Sequence, residues 1–96
     1  MSVLADLQHW YEAQCNDDWE HQFGVTIDTL DNPGWAVTID LDDTNLAGVA
    51  FQEVKDIEHE RDWISCWVEG DKFKGAGGPL KLEEILRIFL NWASSV

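Results

Sequence analysis

Apolar residues in the first fifteen positions recur at spacings of three and four. Val3, Leu4, Leu7, Trp10 and Tyr11 fall on one side of a helix. Ser2 stands where its hydroxyl can accept from a free first-turn amide, and Asp6 lies near the positive end of the dipole. Asn16 tolerates the left-handed conformation and is the expected stop. From Phe23 the period becomes two. Phe23, Val25 and Ile27 alternate with Gly24, Thr26 and Asp28. "DNPG" interrupts at residues 31–34, and Trp35, Val37, Ile39 and Leu41 then alternate with Ala36, Thr38 and Asp40. The expectation is a hairpin closed by a type II turn. Pro33 pre-sets φ at one central position and Gly34 takes the positive φ that follows. Both strands would bury their odd-numbered face.

"LDDTNLAGVA" reads as a loop, residues 51–57 as a third strand, and "HERD" as a turn. "WISCWVEG" is a strand apolar on both faces, with Ile64, Cys66 and Val68 on one and Trp63 and Trp67 on the other. Such a strand is central or covered twice, so the loop after Leu41 is expected to cover the tryptophans. "GD" turns the chain, "KFKG" makes a short last strand, and "GAGG" breaks it. "PLKLEEILRIFLNWA" closes the chain as a helix, with Pro79 at the first position and Glu83 and Glu84 in the first turn. Leu82, Ile85, Leu86, Phe89, Trp92 and Ala93 form its core face, widened by Ile88 and Leu90. The expected fold is a single α+β domain over residues 1–96. It has an antiparallel sheet of about five strands, with N-terminal and C-terminal helices packed on one face.

Charge narrows the partners. The chain carries 19 acidic against 6 basic residues, a net charge of −13. A surface of that sign repels phosphate and anionic lipid, which argues against nucleic-acid and membrane binding, and it suits a cationic partner. The charge is uneven: no lysine or arginine precedes Lys55, while the first 54 residues hold eleven acids. The N-terminal half should therefore carry most of the field. No basic, apolar leader opens the sequence, and no run approaches the length of a membrane span, so a cytoplasmic protein is expected. Cys15 and Cys66 are then expected reduced and buried. Six tryptophans, four phenylalanines and one tyrosine supply a dense core to a 96-residue chain.

Candidate chemistry concentrates in "QCNDDWEHQFG", residues 14–24. Cys15, Asp17, Asp18, Glu20 and His21 are all metal-ligand types, yet they follow no known ligand spacing and lack the alternation and glycine of a calcium loop. Acid–base catalysis would need burial and a pocket. A nucleophilic Cys15 would need an electropositive setting, where its neighbours are acids. "GAGG" before the last helix could cradle an anion, against the plainer reading of a flexible connection. His9 and His59 stand alone and read as surface or capping residues. Neither a cofactor nor a metal is expected. The stretch reads best as the junction between helix and first strand, with Cys15 and Trp19 packing.

The order of motifs adds a resemblance. "LQHWYEAQCNDDWEHQFGVTIDTLDNPGWAVTIDL", "DWISCWVE" and "FKGAGGPLKLEEILRIFLNW" together resemble the immunity protein 53 family of bacterial polymorphic-toxin systems. The Trp-Glu pair, Trp19 and Glu20, and the Pro-Gly-Trp run, Pro33, Gly34 and Trp35, carry most of it. The resemblance implies a non-catalytic inhibitor that binds and neutralises a toxin encoded beside it, and it supplies no binding residues. Joined to the charge distribution, it suggests a toxin-binding surface built from Asp17, Asp18, Trp19, Glu20, His21, Asp31, Asp42 and Asp43. Two other readings stay open at this point. One is a small-ligand domain using Trp63 and Trp67. The other is a small enzyme acting in the toxin pathway.

Overall fold

A computed structural model describes residues 2–57 and 61–96. The chain runs α1 (Val3–Gln14), α2 (Trp19–Gln22), β1 (Val25–Leu30), β2 (Gly34–Asp40), β3 (Val54–Asp56), β4 (Ile64–Glu69), β5 (Lys72–Gly77) and α3 (Leu82–Ser94). The five strands form one antiparallel sheet in the order β1-β2-β5-β4-β3. The α+β class and the terminal helices are as the pattern predicts. The strand order is not a simple meander, because β5 enters between β2 and β4 and becomes the centre.

Directly paired residues share a sheet face. The register Val37↔Gly75↔Cys66↔Val54 and Ile39↔Phe73↔Val68 defines the inner one. Val37, Ile39, Ile64, Cys66 and Phe73 from that face join Val3 and Leu7 of α1, Ile85, Leu86 and Phe89 of α3, and Leu41 and Leu46 in one buried cluster. Edge-to-face aromatic pairs finish it: Phe51 lies 5.5 Å from Phe73 and 5.0 Å from Trp92, and Trp10 lies 4.9 Å from Phe89.

The glycines of "GAGG" are spent on this packing, not on breaking the strand. Gly75 and Gly77 lie within β5. A side-chain carbon on Gly75 would run into Ile85 Cγ2, and one on Gly77 would stand 2.8 Å from Lys81 Cβ and 3.2 Å from Ile85 Cδ1. The helix can therefore sit directly on the backbone of the central strand. By local pattern these residues read as punctuation, because glycine commonly breaks strands.

Other expectations shift for similar reasons. Asn32–Pro33 is a cis peptide, and Gly34 is the first residue of β2 without a positive φ. Gly34 is required for space: a side chain there would meet the Gly77 carbonyl. The left-handed residues of the tight turns are elsewhere, at Gly70 and Asp71 between β4 and β5. α3 begins at Leu82, so Pro79 precedes the helix and does not open it. β3 is only Val54–Asp56, because Phe51 turns inward onto Phe73. Residues 58–60 are outside those described, and with them His59 and the first half of the turn expected at "HERD".

The loop after Leu41 does not cover Trp63 and Trp67. Leu46 draws it into the core, and Trp92 Nε1 donates to Ala50 O at 2.9 Å, so it lies on the helix side. Trp67 stands on the other face, opposite Lys74, and is half-buried like Trp63. The apolar face of β1 is also less covered than alternation predicts. Ile27 is 37% exposed, and α1 likewise leaves Leu4 60% exposed, since only Val3 and Leu7 of its stripe are buried.

Gly75→Ala should lower stability by about 1–3 kcal/mol in urea unfolding, the usual cost of overpacking. Adding Ile85→Leu, which removes the Cγ2 branch, should recover part of the loss. Gly24→Ala, which has open space around it, should change stability by no more than about 0.5 kcal/mol. The cysteines should separate by reactivity. Burial, aided by the charge of Glu84, pushes the Cys66 thiol up to about 12. Cys15 is only half-buried, its thiol donating to Tyr11 O. A thiol reagent at mildly alkaline pH should modify Cys15 in the native protein and Cys66 only on unfolding.

Candidate functional site

The chain between α1 and β1 is more ordered than a junction. α1 ends at Cys15 in extended backbone, and Asp17 then takes a positive φ of 71°. Asp17, not Asn16, is the left-handed residue; an aspartate tolerates that region better than most side chains. Asn16 acts through its side chain instead. Its Oδ1 accepts the N–H of Asp18 at 3.1 Å and of Trp19 at 2.9 Å. Glu20 reaches back, one carboxylate oxygen accepting the N–H of Asn16 and the other that of Asp17, both at 2.9 Å. The reciprocal bonds resemble a capping box, but they close the turn before α2, whose own N-cap, Asp18, makes no side-chain cap bond. Hydrogen bonds from its own backbone amide and those of Asn16 and Asp17 hold the Glu20 carboxyl below its ordinary range, against the opposing effect of burial.

Trp19 is 2% exposed. Its ring stands edge-on to Trp10 at 6.1 Å and to Tyr11 at 6.0 Å, and Phe23 tilts against it at 6.1 Å. Its Nε1 donates to Asp42 O at 2.8 Å. This bond ties α2 to the loop after β2. That loop is folded on itself: the Thr44 hydroxyl donates to Leu41 O at 2.7 Å and accepts from Leu46 N at 3.1 Å. Leu41 N in turn donates to Asp71 O at 2.9 Å, bringing in the β4–β5 turn.

Three segments distant in sequence therefore meet at one end of the sheet. They carry Asp17, Asp18, Asp43 and Asp71 exposed, and Asp42 half-buried. Asp17, Asp43 and Asp71 all have positive φ. Asp40 binds Lys72 with one oxygen and accepts the N–H of Gly24 at 3.0 Å with the other. The hydrogen bond to Asp40 holds Lys72 above its ordinary pKa against burial, and the charges of Asp40, Asp42 and Asp71 add to it. The acidic half is thus not free of cations: β5 delivers Lys72 into it.

The remaining candidates lie apart. His21 is exposed on α2. Asp31 is in the β1–β2 turn, at the far end of a six-residue strand, roughly 20 Å from the cluster at about 3.4 Å per residue. Pro33, Gly34 and Trp35 serve the fold: Gly34 makes room for the Gly77 carbonyl, and Trp35 Nε1 donates to Pro79 O at 3.0 Å. Asp40, Asp71 and Lys72 were missed in the sequence. Asp40 reads as the polar face of a strand, and no periodicity shows that β5 lies beside β2. Among the described residues, no three His, Cys, Asp or Glu side chains come together as a metal site. Both Glu20 oxygens are taken up by backbone amides. Among those residues no helix is long and apolar enough to cross a membrane.

A family model described as Immunity protein 53 matches residues 4–94. The match covers nearly the whole chain, and the chain belongs to that family, whose name denotes an immunity protein against a toxin. No curated protein and no solved structure matches it.

Trp19→Phe keeps the ring packing but loses the donor to Asp42 O, and should cost about 1–3 kcal/mol through the unpaired carbonyl and the loosened loop. Glu20→Gln should lower the urea midpoint at neutral pH. The folded state favours the Glu20 carboxylate, so its stabilisation is present above the ordinary glutamate value and is lost as pH falls through the lowered folded one. The gap between Glu20→Gln and the parent should close over that acidic window.

Proposed function

We propose that this member of the immunity protein 53 family neutralises its toxin by stoichiometric binding, in the cytoplasm, through the carboxylates gathered where α2, the loop after β2 and the β4–β5 turn meet. The observation that carries the reading is the bond from Trp19 Nε1 to Asp42 O, which holds two acidic segments from different parts of the chain together. Asp17, Asp18, Asp42 and Asp43 are the contact carboxylates, with His21 at the rim and Asp31 extending the negative field at the far end of the hairpin. Trp19 and Glu20 act beneath them. The buried ring and the doubly bonded carboxylate hold Asp17 and Asp18 in place.

A preset array of acids suits a toxin with a basic cleft, such as a nuclease, whose phosphate sites the carboxylates would occupy. The positive φ values at Asp17 and Asp43 favour this use, since short turns present both side chains outward on fixed backbone. Such an inhibitor needs no chemistry of its own, only area and complementary charge.

Replacing Asp17, Asp18, Asp42 and Asp43 with asparagine removes four of the 19 acids, and asparagine tolerates the same backbone conformations. Association with the toxin domain encoded beside this gene should slow by about tenfold or more at low salt, and its salt dependence should flatten. Stopped-flow rates over a salt series read both. Unchanged rate and slope would show that the acids are not the contact. Titrating protection against toxin dose tests the stoichiometric claim, and protection far below equimolar would point to an enzyme.

A further inference from the structure

The two edges of the sheet are unlike. β3 is three residues long and carries Lys55, and both features discourage strand addition. β1 is six residues long and has neither proline nor lysine. Its free backbone groups can be assigned. Asp40 N donates to Gly24 O, so 24↔40 is a hydrogen-bonded pair. By alternation so are 26↔38, 28↔36 and 30↔34. The amides and carbonyls of Val25, Ile27 and Thr29 therefore point away from β2, and no backbone bond takes them up among the described residues.

Beside this edge runs an apolar groove lined by Leu7, Gln8, Tyr11, Gly24 and Val25. Tyr11 is 39% exposed and Ile27 37%, and Leu4 continues the same helix stripe one turn earlier. On the other face of β1 stands exposed Asp28, with Asp31 at one end of the strand. No lysine or arginine lies on α1, α2, β1 or β2.

We propose that the β1 edge is the docking line for an extended segment of the toxin, which joins the sheet as a sixth strand. Its backbone pairs with Val25, Ile27 and Thr29. Its side chains alternate. Apolar ones enter the groove between α1 and β1, and lysine or arginine lies across from Asp28 and toward Asp31, where opposite charges on neighbouring strands attract. Helical or loop segments cannot satisfy a row of three alternate amides and carbonyls, and an acidic strand would be repelled. The inference rests on the toxin-binding reading and adds a second contact, continuous with the acidic end through Gly24.

The test is amide hydrogen exchange by NMR on the unmodified protein, alone and with the toxin domain encoded beside its gene. The Ile27 and Thr29 amides should exchange readily in the free protein and slow by about a hundredfold or more in the complex. Ile27→Lys, which places a cation on the edge, should weaken binding by about tenfold or more, with its own fold checked by the same spectra. A complex that forms with unchanged exchange at Ile27 and Thr29 overturns strand addition and leaves the acidic contact standing. Absence of any complex overturns both.

Discussion

The close approach of α3 to β5 is the constraint on which the rest depends. A helix normally rests on side chains of a sheet, but here Ile85 reaches the backbone of the central strand at Gly75 and Gly77. That closeness lets Phe89 and Trp92 meet Phe73, Phe51 and Trp10 in one set of ring contacts. It also places Cys66, paired with Gly75, under the helix with no exposure. The last strand to be made is the centre of the sheet, so β1–β2 and β3–β4 join only when β5 enters between them. The hairpin and the distal strands are halves of a sheet completed by one glycine-bearing strand.

The tryptophans do a different job from the one their hydrophobicity suggests. Only Trp19 is buried. Trp19, Trp35 and Trp92 each donate their indole N–H to a loop carbonyl, at Asp42, Pro79 and Ala50 respectively. A ring with one apolar body and one polar tip suits that task. Two irregular segments are thereby pinned, the loop after β2 at two points and the β5–α3 connection at one. The carboxylate end of the molecule depends on the first of these pins, since α2 has only four residues and could not hold a position by itself.

Electrostatics follow the fold and not the sequence halves. The chain reads as acidic first and mixed later, but β5 lies beside β2, so Lys72 meets Asp40 and stands close to Asp42 and Asp71. One acid of the cluster is thus neutralised and fixes the Gly24 amide, while Asp71 stays exposed and Asp42 half-buried. The negative field is narrower than the charge run implies, and better placed on rigid backbone.

Periodicity alone determined the helices at both ends, the β1–β2 hairpin, the two-faced apolar pattern of β4 and the α+β class. Each is a local matter: the period of apolar residues and the hydroxyl of Ser2, which does cap α1 through the Ala5 amide. Glycine was where local reading failed. Gly34, Gly75 and Gly77 look like turn residues, yet they sit in strands because another backbone or a helix needs the space of a side chain. The open face under Trp67, the free edge of β1, and the meeting of Asp17, Asp18, Asp42 and Asp43 were decided only by tertiary structure. Strand order sets all three, and strand order depends on contacts between residues far apart in the chain, which no local period records.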